Sequence, residues 1–173
     1  MGSGIAQVAA QHGHEVYLFD TKEAALEKAK ASLAKIMARL VEKGKISEEQ
    51  SKATQSRIKR GSDYVQFNNC GLVIEAIVEN LEVKKSVFNS LENVVSNDCV
   101  LASNTSSLSI ASIAGSCSHP ERVVGIHFFN PAPLMPLVEI VPAVQTSDSV
   151  LKNAQTIIDS WKKVTVIAQE THG

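Results

Sequence analysis

Several things are scarce in this chain, and each scarcity removes a class of answer. No stretch of its 173 residues approaches the roughly 18 consecutive apolar residues that a membrane-spanning helix needs. The amino terminus has no basic segment leading into an apolar signal core. Three cysteines, Cys70, Cys99 and Cys117, are an odd number with no CxxC spacing, which speaks against a disulfide framework and a zinc site and suits a reducing compartment. Net charge is nearly absent. The formal value of −1 supplies no bulk field to hold a nucleic acid or a membrane, although basic residues do gather between Lys28 and Arg60. There is no internal repeat and no low-complexity linker. What is present is an apolar fraction of 44% in a length that fills one domain, so the expectation is a soluble intracellular domain with a full core.

Two hydrophobic periods alternate along the chain. Short runs rich in β-formers read as strands: EVYLFD (15–20), LVIEAI (72–77), CVLA (99–102), RVVGIHF (122–128), LVEIV (137–141) and KVTVIA (163–168). Between them apolar residues recur at helical spacing. Leu26, Ala29, Leu33, Ile36, Met37 and Leu40 form one stripe, which Lys43-Gly44-Lys45 stops. Ser47 and Gln50 then make a capping-box signature for a second, more polar helix ending near Arg60. Further helices are expected over about 80–95 and 110–114. A last one buries Val150, Leu151, Ala154, Ile157, Ile158 and Trp161. Strands alternating with helices predict an α/β fold, a doubly wound and mostly parallel sheet covered on both faces. The helical pair, about residues 22–60, is an excursion from it, because the strand pattern resumes only at Leu72.

The chain opens directly on a helix pattern, MGSGIAQVAAQHGHEV, with Ile5, Val8 and Ala9 facing inward and Gly13 as the stop. Gly2 and Gly4 read as the tail of a GxGxxG turn whose first half, with the strand before it, is absent. Alone that signal is weak. Its weight comes from Asp20, which ends the next strand at the distance expected of a Rossmann-type dinucleotide-binding βαβ unit. An acid there accepts hydrogen bonds from both ribose hydroxyls and repels a 2′-phosphate, which favours NAD over NADP. The other reading makes Asp20 a solvated strand-end acid that caps the segment after it.

Four longer stretches are distinctive: MGSGIAQVAA, VIEAIVENLEVKK, ASNTSSLSI and HFFNPAPLMPLVEI. On them the chain resembles the NAD-binding domain of the L-3-hydroxyacyl-CoA dehydrogenases, including the bacterial 3-hydroxybutyryl-CoA dehydrogenases. The resemblance covers most of the chain and implies NAD-dependent oxidation of a 3-hydroxyacyl-CoA to the 3-ketoacyl-CoA, or the reverse. Elementary chemistry agrees. Taking hydride from a secondary alcohol requires a base for the hydroxyl proton, and histidine is best poised for that near neutral pH. His127 sits at the carboxyl end of a predicted strand, where open α/β sheets bind ligands. An imidazolium forming in a dry pocket needs a carboxylate to orient and stabilise it, and Glu139 lies on the neighbouring predicted strand. The resemblance makes this pair the catalytic dyad; without it, a core histidine and a solvated edge acid would account for both. The remaining histidines, His12, His14, His119 and His172, read as surface residues.

The resemblance also assigns roles that spacing alone does not. Ser106 contacts substrate and nicotinamide, and Asn130 bonds the nicotinamide end of the cofactor. Read from the residues alone, Asn104, Thr105, Ser106 and Ser107 would cap the next short helix, where Ser107 is expected to help, and Asn130 would support the turn before Pro131. Glu79 and Lys84 lie near its ribose and phosphates, although two charges on a helix's first turns are more often simply solvated. Lys43 falls at a basic contact for the coenzyme A moiety, and Ile36 at a position that is serine in some members. A lysine-rich helix face is otherwise a solubilising surface. No metal is implied.

Two departures stand out: the absent first strand with its glycines, and a stop at AQETHG, near the family's link to a helical second domain. His172 stands there where proline is common. That second domain carries the dimer contacts, so a homodimer is expected of the full-length protein, and residues 1–173 are expected to be most of its NAD-binding domain and inactive alone. The resemblance implies a cytoplasmic enzyme, or a mitochondrial-matrix one in a eukaryote, and leaves open fusion to a hydratase. Two competitors are a dehydrogenase of a free hydroxy acid or sugar acid, such as the L-gulonate 3-dehydrogenases, and a non-catalytic nucleotide-binding module.

Overall fold

The computed structural model describes residues 1–169, so the expectation for His172 lies outside the described residues. The chain divides into two compact units, residues 3–63 and residues 1–2 with 64 onward.

Helix α1 (Gly2–Gln11), which belongs to the first unit from Ser3 on, buries Ile5, Val8 and Ala9 as their spacing predicts, and Gly13, with φ 94°, lets the chain turn out of it. Strand β1 (Val16–Leu18) is followed by α2 (Glu23–Glu42) and α3 (Glu48–Arg57). Helix α2 closes at Gly44 (φ 65°): the Lys45 amide donates to the Leu40 carbonyl and the Gly44 amide to Val41, which satisfies the free carbonyls of the last turn. The capping box before α3 is present in full, Ser47 and Gln50 each accepting from the other's amide.

Two expectations need correction here. Ile36 is 41% exposed, while Leu26 and Met37 are buried. The inward seam runs Leu26, Ala29, Leu33, Met37, Leu40, at spacings of three and four, and Ile36 lies at its outer edge, about a sixth of a turn from its mean direction and just beyond the half-buried Ala29. The second helix ends at Arg57, not near Arg60, because Ile58–Arg60 forms a short strand, β2, parallel to β1. Three residues carry no readable period; their conformation is set by a partner some forty residues away in sequence.

The second unit is a five-stranded sheet in the order β3 (Leu72–Glu75), β4 (Val100–Ser103), β5 (Val123–Phe128), β6 (Leu137–Pro142), β7 (Val164–Ile167). Every pairing is parallel except β5–β6. Helices α4 (Leu81–Glu92), α5 (Ile110–Ala114) and α6 (Asp148–Ser160) alternate with the strands, which is the mostly parallel Rossmann-like α/β arrangement that the alternating periods predict. The core is built from all four residues of β4, from Phe88 and Leu91 of α4, from Ile126, Phe128, Val138 and Ile140, and from Ala154, Ile158 and Trp161. Val150, Leu151 and Ile157 flank that last seam and are only half-buried. Gly125 has a steric reason: a Cβ there would stand 2.9 Å from the Val141 Cβ and 3.1 Å from Ile110, so α5 lies close on β5 only because the residue is glycine. Parallel pairing gathers the carboxyl ends of β3, β4 and β5 along one edge of the sheet, where such sheets take ligands. Among the described residues no helix is long and apolar enough to cross a membrane, and no cluster of His, Cys, Asp and Glu is placed to hold a metal.

Candidate active site

The histidine and the acid of HFFNPAPLMPLVEI meet because of ladder register. Strands β5 and β6 are antiparallel neighbours with His127 directly opposite Glu139, so both side chains leave the same face of the sheet. His127 Nδ1 lies 2.8 Å from Glu139 Oε2. An ionised carboxylate only accepts, so Nδ1 carries the proton and donates it; Nε2 is left with the lone pair of a base. Exposure is 20% for the histidine side chain and 34% for the glutamate, which makes the pair accessible to a ligand. The Phe129 ring packs on the imidazole with centroids 4.8 Å apart.

The loop after β4 holds Ser106, which is exposed. Its neighbours are tied down on both sides. Asn104 accepts the Phe128 amide through Oδ1 (2.8 Å), fastening the serine loop to the end of the strand that carries His127. Thr105 donates to Glu79 Oε2 (2.6 Å) and accepts the Leu108 amide (3.0 Å). The expected cap is corrected: the Ser107 hydroxyl donates to Glu79, and Ser109 caps α5 by accepting the Ser112 amide. Ser109 directly precedes the helix, where a hydroxyl reaches the first free amides, whereas Ser107 lies too far ahead of it.

Under this loop lies a charge cluster that the sequence presents as surface. Lys84 is fully buried, its ammonium 2.7 Å from Glu75 and 3.1 Å from Glu79. Glu75, also buried, accepts three hydrogen bonds through its two oxygens: from Lys84 and the Ile77 amide on Oε1, and from the Ser103 hydroxyl on Oε2. The solvated reading of Lys84 is therefore corrected, and its ammonium is engaged by the two carboxylates rather than open to solvent. A signal existed. Leu81, Lys84, Phe88, Leu91 and Val95 share one helical seam, so the lysine stands on the apolar stripe of α4 and needs a buried anion. Burial alone would raise the Glu79 carboxyl, but the Thr105 hydroxyl and the Lys84 ammonium outweigh it and hold it below the usual carboxylate range.

Gly2, the first residue of α1, has neither a positive φ nor a crowding neighbour; the nearest atom to an added Cβ is Ala76 Cβ at 3.8 Å. Asn130 is exposed and precedes Pro131 through a cis peptide bond. In the other unit Asp20 is exposed and accepts the Lys22 amide through Oδ1 (2.8 Å), which is the capping role of the alternative reading and leaves Oδ2 for a ligand. Lys43 is exposed at the end of α2. His14 and His119 are exposed, whereas His12 is half-buried, its Nδ1 2.8 Å from the Val8 carbonyl.

Known proteins match this chain over 95% or more of its length. The chain is 42% identical over 173 residues to 3-hydroxyadipyl-CoA dehydrogenase of Escherichia coli (strain K12), covering 100% of this chain and 36% of that protein. It is 42% identical over 164 residues to a probable 3-hydroxybutyryl-CoA dehydrogenase of Deinococcus radiodurans, covering 95% of this chain and 58% of that one. The crystal structure of 3-hydroxybutyryl-CoA dehydrogenase from Escherichia coli K12 superposes with a TM-score of 0.97 at 42% identity over 99% of this chain and 36% of that chain. The chain thus spans less than two thirds of the length of these relatives. The family model described as 3-hydroxyacyl-CoA dehydrogenase, NAD binding domain, matches residues 1–171, and the chain belongs to that family.

Proposed function

We propose that this chain is the cofactor-binding and catalytic domain of an NAD-dependent enzyme that oxidises an L-3-hydroxyacyl-CoA to the 3-ketoacyl-CoA. The observation that carries the reading is the His127–Glu139 pair, in direct register and 2.8 Å apart at the ligand edge of the sheet. His127 Nε2 takes the substrate hydroxyl proton, Glu139 holds the imidazole in the required tautomer and stabilises the imidazolium, and Ser106 donates to the substrate oxygen from its exposed loop. NAD, when bound, supplies the acceptor for the hydride leaving the same carbon. The residues suit that cofactor: Asp20 keeps a carboxylate oxygen for a ribose hydroxyl, Gly2 leaves a helix start without a side chain, and Glu79, Lys84 and Asn130 border the same sheet edge as the dyad or hold its loops. Lys43 is assigned to the phosphates of coenzyme A. The enzyme is read as a cytoplasmic or mitochondrial-matrix homodimer.

The test is acetoacetyl-CoA-dependent NADH consumption by the full-length protein. His127→Gln should lower kcat by roughly two to four orders of magnitude with NADH still bound; unchanged turnover sinks the dyad. Lys43→Glu should raise KM for the acyl-CoA and leave NADH affinity alone, whereas a free hydroxy acid as the true substrate would make this variant silent.

A further inference from the structure

The loop that joins the two halves of the dyad, Asn130 to Pro136, buries Ala132 but has few backbone hydrogen bonds of its own. Three of its seven residues are prolines and lack an amide hydrogen. The Leu134 and Met135 amides both donate to one carbonyl, that of Pro131, at 3.0 and 3.1 Å. Three further carbonyls are met from a distant element. Lys163 Nζ donates to Ala132 O at 2.6 Å and to Met135 O at 2.8 Å, and the Val164 amide donates to Pro136 O at 2.9 Å. Both residues follow Lys162, whose φ of 57° turns the chain sharply out of α6 and into β7.

Lys163 is an unusual choice for this task. Among the described residues no carboxylate lies within ion-pair reach of it; its partners are carbonyl oxygens, and burial pushes its pKa down. A half-buried ammonium bonded to two carbonyls of one loop is spent on the position of that loop, not on pairing charge. The dyad does not need it, because the β5–β6 ladder sets His127 opposite Glu139 by backbone register. Asn130 does. It is exposed at the start of the loop, beyond the ladder, whose last pair on β5 is at Phe128.

We propose that Lys163 is a positioning residue: by holding the carbonyls of Ala132 and Met135 it fixes the 130–136 loop and presents Asn130 to the nicotinamide end of the cofactor. The cofactor half of this inference rests on the function proposed above.

The experiment compares Lys163→Met and Lys163→Arg with the parent in the full-length protein, by amide hydrogen exchange, NADH titration and the pH profile of kcat. Lys163→Met should speed exchange at the Leu134 and Met135 amides and weaken NADH about tenfold, the size of a lost charge-assisted hydrogen bond. The β5–β6 amides and the pH profile, which report the dyad, should stay as in the parent. Lys163→Arg, which keeps a cation with several donors, should recover most of the affinity; a lysine needed only for folding would show no such selective loss. If Lys163→Met does not fold, Lys163→Gln, which can still reach one carbonyl, is expected to give a smaller loss of the same kind. Unchanged exchange at Leu134 and Met135 overturns the clamp. Faster exchange with parental NADH affinity overturns the presentation of Asn130. A parent protein that binds no NADH defeats the proposed function instead, and the exchange arm still decides whether Lys163 holds the loop.

Discussion

The molecule contains two clusters of the same composition, one cation between two glutamates, in opposite surroundings. Arg60 lies 2.6 Å from Glu23 and 3.6 Å from Glu27, with all three side chains between 47% and 69% exposed. Lys84 lies 2.7 Å from Glu75 and 3.1 Å from Glu79, with exposures of 0%, 1% and 42%. Distances barely distinguish them; water does. The arginine and its partners stay solvated, so their attraction is screened and offset by the order imposed on three long side chains. The lysine and Glu75 have left water and depend on each other, and on the Ser103 hydroxyl and Ile77 amide that complete the glutamate's bonding. The first cluster decorates a helix and a short strand. The second determines how β3, α4 and the serine loop meet.

The largest effect should therefore come from breaking the buried cluster on one side only. Lys84→Met leaves Glu75 buried without its cation and should destabilise the fold by about 3–5 kcal/mol, read as a shift of the denaturant midpoint. Removing both charges tests the cause. In Lys84→Met combined with Glu75→Leu no ion is stranded, so most of the loss should return, although Ser103 then lacks its acceptor. A double variant as unstable as the single one would show that lost packing, not a stranded charge, is responsible.

A smaller effect separates the partly exposed member of the cluster from the buried ones. Glu79 is held below the ordinary carboxylate value of 4.5, since its bonds to Thr105 and Lys84 outweigh the desolvation that acts against them. A depressed folded pKa means that the unfolded chain takes up the proton first, so the contribution is complete above 4.5 and is lost as pH falls through the folded value. Glu79→Gln should be less stable than the parent by a constant margin from neutral pH down to about pH 5, and the margin should close below that. A margin that persists at about pH 3 would assign the effect to shape and hydrogen bonding instead of ionisation.

The difference between the clusters also explains which parts of the protein were legible in its sequence. Period carried the elements: all six expected strands and the helices are found within a few residues of their expected ends, because burying one face imposes a repeat on the sequence. It failed at β2, where three residues carry no repeat. The dyad was legible because HFFNPAPLMPLVEI puts a lone histidine and a lone acid on adjoining strands, and register then brings them together. Glu75 and Lys84 were not, because an acid at a strand end and a lysine near a helix start are ordinary surface choices until the seam through Leu81, Phe88 and Leu91 is drawn. Lys163 left no pattern of any kind, since its partners are carbonyls, which every residue has.

The exposed cluster yields the smallest effect, and it is the control for the other two. Arg60 is bonded to Glu23 closely enough that the hydrogen bond and the charge together hold that carboxyl below its usual range. Geometry of this quality in water still adds little, because both groups are nearly as well served by solvent when the chain unfolds. Strand β2 does not rely on it either, since Leu18 and Arg60 pair through the backbone ladder, and the Gly61 amide donates to the Leu18 carbonyl. Arg60→Gln should accordingly leave the thermal midpoint where it is, at low salt as well as high. A clear loss at low salt that disappears on adding salt would mean that this cluster supports its unit through charge after all, and that burial is not what divides the two.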